Sequence, residues 1–121
     1  MAKTKAEIRN RAASDYLGIL RLGQSLQPQD DDRISDAYDE IYEQLKKDGL
    51  AFWASTASVP AQYVPHVVAL VAQQCQGTYG ISQLRQQLLF AAAGDNGERA
   101  KKEIRKLGSQ DFPSQEEAVD F

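Results

Sequence analysis

Two carboxylates in the right relation are enough to hydrolyse a glycosidic bond, one as acid and the other as base or nucleophile. One segment of this 121-residue sequence offers such a group: Asp36, Glu40 and Glu43. Spacings of four and three place them on one side of a helix. The apolar residues Ile34, Ala37, Tyr38, Ile41 and Leu45 take the opposite side, so the three acids are expected in water with ordinary acidities. A cell-wall glycan hydrolase would need one of them raised. A solvated helical face is the better reading.

The other reactive side chains are isolated. The single histidine, His66, follows Pro65 in the first turn of an apolar helix and reads as a packing or surface residue rather than a general base. Cys75 is the only cysteine, with neither a disulfide partner nor metal-ligand spacing, and lies near Leu70, Val71 and Ala72 as a small buried hydrophobe. Asp30-Asp31-Asp32 lacks the glycine and glutamate of a calcium loop, and Asp95-Asn96-Gly97 reads as a turn. No G-x-S-x-G elbow and no phosphate-cradling glycine motif occurs. The expectation is a non-enzyme with no cofactor and no metal.

Charge is uneven. The net value is −3, but residues 109–121 carry Asp111, Glu116, Glu117 and Asp120 with no Lys or Arg. The first 108 residues then hold 14 basic against 13 acidic side chains. A near-neutral body lacks the basic excess of a dedicated duplex-DNA binder. Basic residues gather once, at Arg99, Lys101, Lys102, Arg105 and Lys106, interrupted by Glu98 and Glu103. They are either a solvated helical face or an electrostatic docking face for an acidic neighbour. Phe112, Val119 and Phe121 punctuate the acidic strip, which is either an ordinary disordered end or a segment that orders on a partner.

The elements that must position these residues are helices. Thr4 and Glu7 have the spacing of a capping box, and Ile8, Ala12, Tyr16, Ile19 and Leu20 share a face behind it. Gln24 to Gln29, with Pro28, reads as a turn into a second helix, which Gly49 ends. Phe52 and Trp53 are expected over the helices from an irregular segment, 50–58. A third helix starts near Pro65, which disfavours helical geometry at Val64 before it. Val67, Val68, Leu70, Val71, Ala72 and Cys75 make it apolar nearly all round, and Gly77 and Gly80 end it. Ser82 caps a fourth helix that buries Leu84, Leu88, Ala91 and Ala92 while Arg85, Gln86 and Gln87 face away. Gly94-Asp95-Asn96-Gly97 either breaks it or weakens one long helix that continues through Ala100, Ile104 and Leu107.

The reading is therefore all-α: a bundle of four to five helices over 1–108 and an extended acidic tail over 109–121. Composition agrees, with 42% hydrophobic and 26% charged residues. The longest strongly apolar stretch, 64–72, is far short of the roughly 20 residues of a membrane span. A charged amphipathic segment stands behind Met1 where an export signal would have an apolar core, and with the lone cysteine this predicts assembly in a reducing cytoplasm.

Several local features occur together in one known family. Lys3-Thr4-Lys5 opens a helix carrying Ala12, Leu17 and Gly18; Gln27-Pro28-Gln29 precedes a helix with Asp36, Ala37 and Leu45; Lys47-Asp48-Gly49-Leu50 follows it. Val64-Pro65, then Val67, Val68, Leu70, Ala72 and Tyr79-Gly80-Ile81, completes the series. In order and spacing over about 3–108, the chain resembles the head-to-tail adaptors of short-tailed bacteriophages, also called tail accessory factors or packaged-DNA stabilisation proteins. It departs from them in a shorter loop at 50–59 and a much shorter C-terminal extension.

The resemblance implies a homo-oligomeric ring, typically a dodecamer, in the neck of the virion. Such a ring sits under the portal protein, extends the channel through which DNA passes without sequence-specific binding, and gives the next tail (nozzle) protein its platform. The portal-docking segment would be Asp111, Phe112, Pro113, Glu116, Glu117, Val119, Asp120 and Phe121, with Phe112 and Phe121 as anchors. No membrane is involved. The rival reading is a small helical DNA-binding regulator with Arg99–Lys106 on a groove-facing helix.

Overall fold

A computed structural model describes residues 3–20, 26–51, 53 and 58–111. It is all-α: helix α1 (Lys5–Arg11), a π-helical segment (Ala12–Leu17), α2 (Pro28–Lys47), a 3-10 turn (Ala61–Tyr63), α3 (Val64–Tyr79), α4 (Gln83–Ala93), a second 3-10 turn (Asp95–Gly97) and α5 (Glu98–Asp111). Among the described residues extended pairing is limited to one bridge, Lys3 to Val59, with N–H···O distances of 3.0 and 2.8 Å.

Helix α3 is the axis on which the others pack. Val64, Val67 to Ala72 and Cys75 are all 5% exposed or less. Each remaining helix contributes one stripe against it. Helix α2 brings Ile34, Ala37, Tyr38, Ile41, Tyr42 and Leu45; α4 brings Leu89 and Ala93; α5 brings Ala100 and Ile104. An aromatic cluster closes one end. The Trp53 ring lies 5.6 Å from Tyr63 and 6.5 Å from Tyr42, whose hydroxyl donates to the Trp53 carbonyl at 2.6 Å. Trp53 is thus buried over the helices as expected, whereas Phe52 falls outside the described residues.

Local signals set several element ends. Thr4 and Glu7 form the reciprocal capping box. Beyond Arg11 the chain widens to i→i+5 bonding, which inserts a residue into the turn. The stripe begun by Ile8 and Ala12 is therefore continued by Ala13 and Leu17, leaving Tyr16, Ile19 and Leu20 half-buried. Tyr79 at the end of α3 donates to Asp30 at the start of α2 (3.1 Å). Arg9 pairs with Asp31 at 2.8 Å and donates to Ser35 at 2.6 Å, joining α1 to the same helix start.

Other expectations are corrected. Pro28 and Gln29 belong to the first turn of α2, where the absent proline N–H costs nothing. Val64 is helical despite the proline after it (φ −54°, ψ −51°), because the 3-10 turn at 61–63 already winds the chain into α3. Gly77 lies inside α3, which runs to Tyr79. Helix α5 continues past Gly108 to Asp111, so the helix overruns the expected start of the tail.

The largest correction concerns α4. Leu84 and Leu88 are 66% and 54% exposed, Ala91 is exposed and Ala92 half-buried, while Leu89 and Ala93 face the core. Arg85 is half-buried rather than pointing away, while Gln86 and Gln87 are exposed as expected. The Gln86 amide donates to the Ile81 carbonyl (3.0 Å), and a Cβ on Gly18 would meet the Arg85 guanidinium at 2.7 Å. Helix α4 has apolar residues on two sides, so periodicity alone does not choose between them. The side taken is set by α3 and the π-helical segment.

The break between α4 and α5 is real, and Gly97 carries it. Its φ is +75°, and a Cβ there would lie 2.5 Å from Leu70 Cδ2 in the axial helix. Gly97→Ala therefore combines left-handed strain with a core clash and should cost roughly 2–4 kcal/mol. Gly49→Ala, at φ +76° with nothing within 4 Å, should cost roughly 1 kcal/mol. Urea unfolding of the two variants checks the order; equal losses would show that the Leu70 contact is not what constrains Gly97.

Candidate functional site

Asp36, Glu40 and Glu43 are all exposed on the outer side of α2. Glu40 accepts from the Gln74 amide at 2.6 Å. Asp36 and Glu40 line an open cleft of about 440 Å3 beside Gln74 and Cys75, which Glu43 does not reach. Among the described residues no three His, Cys, Asp or Glu side chains come together as a metal-holding group.

Cys75 sits at the inner edge of that cleft. Its thiol points back along α3, 3.3 Å from the Val71 carbonyl, and burial pushes its pKa up to about 11. At neutral pH it is a protonated thiol with little nucleophilic character. His66 lies in the first turn of α3, half-buried. Desolvation holds its imidazole below the ordinary value, with Glu103 of α5 acting weakly the other way.

The basic residues occupy α5 opposite its buried stripe. Ala100 and Ile104 face the core, while Arg99, Lys102, Arg105 and Lys106 are exposed and Lys101 is half-buried. Arg99 donates to the Ala91 carbonyl of α4 (2.8 Å), and Lys101 reaches Gln44 of α2 (3.4 Å). The row therefore reaches α4 through Arg99 and α2 through Lys101. It borders a large exposed aromatic, Phe90, which is 61% accessible. Phe90, Gly94, Asp95, Glu98, Arg99 and Lys102 enclose an open cleft of about 310 Å3.

The structure thus brings the predicted basic row beside Phe90, one of three exposed apolar residues of α4 not anticipated from the sequence. Leu84, Leu88 and Phe90 were hidden in a helix with apolar residues on both sides; the available signal was that surplus, more apolar residues than one stripe can bury. Of the acidic segment, Asp111 ends α5, and Phe112, Pro113, Glu116, Glu117, Val119, Asp120 and Phe121 lie outside the described residues. Among the described residues no helix is long and apolar enough to cross a membrane. Comparison with family models, curated proteins and solved structures finds no match to this chain.

The His66 environment gives a pH dependence with a definite sign. A folded-state pKa below 6.5 means that the unfolded chain binds more protons in the interval between the two values. Stability from this group is complete above the unfolded pKa and is lost as pH falls through the folded one. The urea midpoint should be lower at about pH 5.5 than at about pH 7.5. His66→Gln should shrink that difference, and an unchanged difference would assign it to another group.

Proposed function

We propose that the chain is a non-enzymatic structural subunit, the head-to-tail adaptor of a short-tailed phage. In this reading copies form a ring, expected to be dodecameric, below the portal protein. The ring continues the DNA channel without reading sequence and presents a platform to the next tail protein. Residues 111–121 dock on the portal, with Phe112 and Phe121 as apolar anchors among the acids. The particle is built in the host cytoplasm and the subunit ends in the virion neck.

The observation that carries the reading is the set of large apolar side chains that α4 leaves exposed. Leu84, Leu88 and Phe90 project from a small bundle whose core is already complete without them. Exposed apolar groups of this size suit a surface that is covered in an assembly. The order and spacing of the residues shared with the adaptor family supply the particular assembly. A near-neutral body fits a conduit, because strong attraction to phosphate would retard DNA in transit.

The DNA-regulator reading draws on the exposed Arg99–Lys106 row, but Glu98 and Glu103 lie within it and Arg99 is turned to a backbone carbonyl.

Negative-stain imaging of the protein mixed with portal particles should show added density at the portal's outer end. Removal of residues 109–121 should reduce attachment at least tenfold while the helical circular dichroism persists. Undiminished attachment of the shortened chain would refute the role of the segment. Duplex-DNA affinity that falls steeply with salt in gel-shift titrations would favour the regulator.

A further inference from the structure

The basic row of α5 and the Phe90 cleft lie along one line. Arg99, Lys102 and Lys106 recur at steps of three and four, on the exposed side of the helix. Arg99 and Lys102 open into the cleft that Phe90 walls. Asp95 and Glu98 also line that cleft, and they share a second one with Lys101 and Arg105. Among the described residues no ion pair involves Lys102 or Lys106. The surface is therefore an apolar pocket followed by a short cationic track. It suits an extended segment with acids spaced along it and an aromatic residue at one end.

Residues 112–121 have that composition and begin at the end of α5, about 9 Å beyond Lys106. A strand advances about 3.3 Å per residue and a helix about 1.5 Å. A segment returning along α5 therefore passes roughly two helical residues with each of its own. Pro113 cannot extend the α5 ladder and suits the reversal. Counting back from Ser114 set level with Asp111, Glu116 comes near Lys106, Glu117 between Lys106 and Lys102, and Asp120 near Arg99. Phe121 arrives just past the start of α5, at the end where Phe90 walls the cleft. The distance from the end of α5 back to Arg99 is about 18 Å, and ten residues of chain can span about 33 Å. Reach is not limiting.

We propose that, in the subunit away from any partner, residues 112–121 fold back on their own α5, with Phe121 in the Phe90 cleft and the acids along Arg99, Lys102 and Lys106. The segment is covalently attached to the helix that carries the track, so its effective concentration there is in the millimolar range. At lower protein concentrations the intramolecular contact wins over the same contact between copies. The inference builds on the proposed function in taking this segment as one that docks, and adds where it rests beforehand. A partner must then displace it, which couples release of the segment to uncovering of the Phe90 face.

Zero-length carbodiimide cross-linking of the full chain, with no portal present, tests this. An equal mixture of 14N- and 15N-labelled protein should give amide links from Lys102 or Lys106 to Glu116 or Glu117, all between residues of the same isotope. Phe90→Ser and Phe121→Ser should each cut the yield at least threefold with all the reacting groups intact. Phe90 is exposed, so its replacement should leave the thermal midpoint in place. Mixed-isotope links would move the contact between copies and overturn the fold-back. So would links only to lysines elsewhere, an absence of links, or yields indifferent to both substitutions. The portal-mixing experiment is independent of this result: attachment can fail while the links form, and the reverse.

Discussion

The burial of α3 is the constraint on which the rest of the structure depends. A helix that is apolar on nearly every side must be covered on nearly every side. A short chain can do this only by laying its other helices around it. Val67 to Ala72 are each at most 2% exposed, and they contribute to the core in several directions at once. Polar groups in the C-terminal half of α3 fix its neighbours: Tyr79 holds the start of α2 through Asp30, and Gln73 donates to the Gly94 carbonyl at 2.7 Å where α4 gives way to α5. Burial and the Asp30 contact push the Tyr79 phenol up to about 12, so it remains a donor throughout the physiological range.

Covering one axis so completely has a consequence for the surface. Once α2, α4, α5 and the π-helical segment have each given a stripe to α3, any further apolar residue has no interior to enter. Helix α4 carries such residues. Arg85 over Gly18 and Leu89 in the core set its rotation, and Leu84, Leu88 and Phe90 are left outside. The basic side of α5 lies next to Phe90 because Gly94 and Gly97 fold the chain back tightly there. Apolar and cationic groups thus become neighbours through packing, although they come from separate helices. A surface of that kind accepts acidic, aromatic-bearing chain, and the acidic segment of this protein is one such chain.

Much of the fold was legible in the residues. The α2 stripe, the Thr4–Glu7 cap, the fully apolar α3 and the burial of Cys75 and Trp53 followed from spacing and residue type. The solvent exposure of Asp36, Glu40 and Glu43 and of most of the α5 basic row could be read the same way, since each lies opposite a clear apolar stripe. The buried face of α4 could not. Its two candidate faces differ little in apolar content, so the choice belonged to contacts with residues far away in sequence. The π-helical turn at Ala12–Leu17 was equally silent, because one inserted residue leaves no compositional mark.

The sequence by itself determined that this protein is a bundle of amphipathic helices around one apolar helix, with its titratable groups dispersed and its last thirteen residues carrying acids without any Lys or Arg. Hydrophobic periodicity and local capping are short-range properties, and they are written residue by residue. Only the tertiary structure decided which side of α4 meets the core, that the chain breaks at Gly94–Gly97, and that Phe90 stands beside Arg99 and Lys102. Those outcomes depend on which of several nearly equivalent local arrangements packs best against α3, and packing is a relation between segments that no single segment contains.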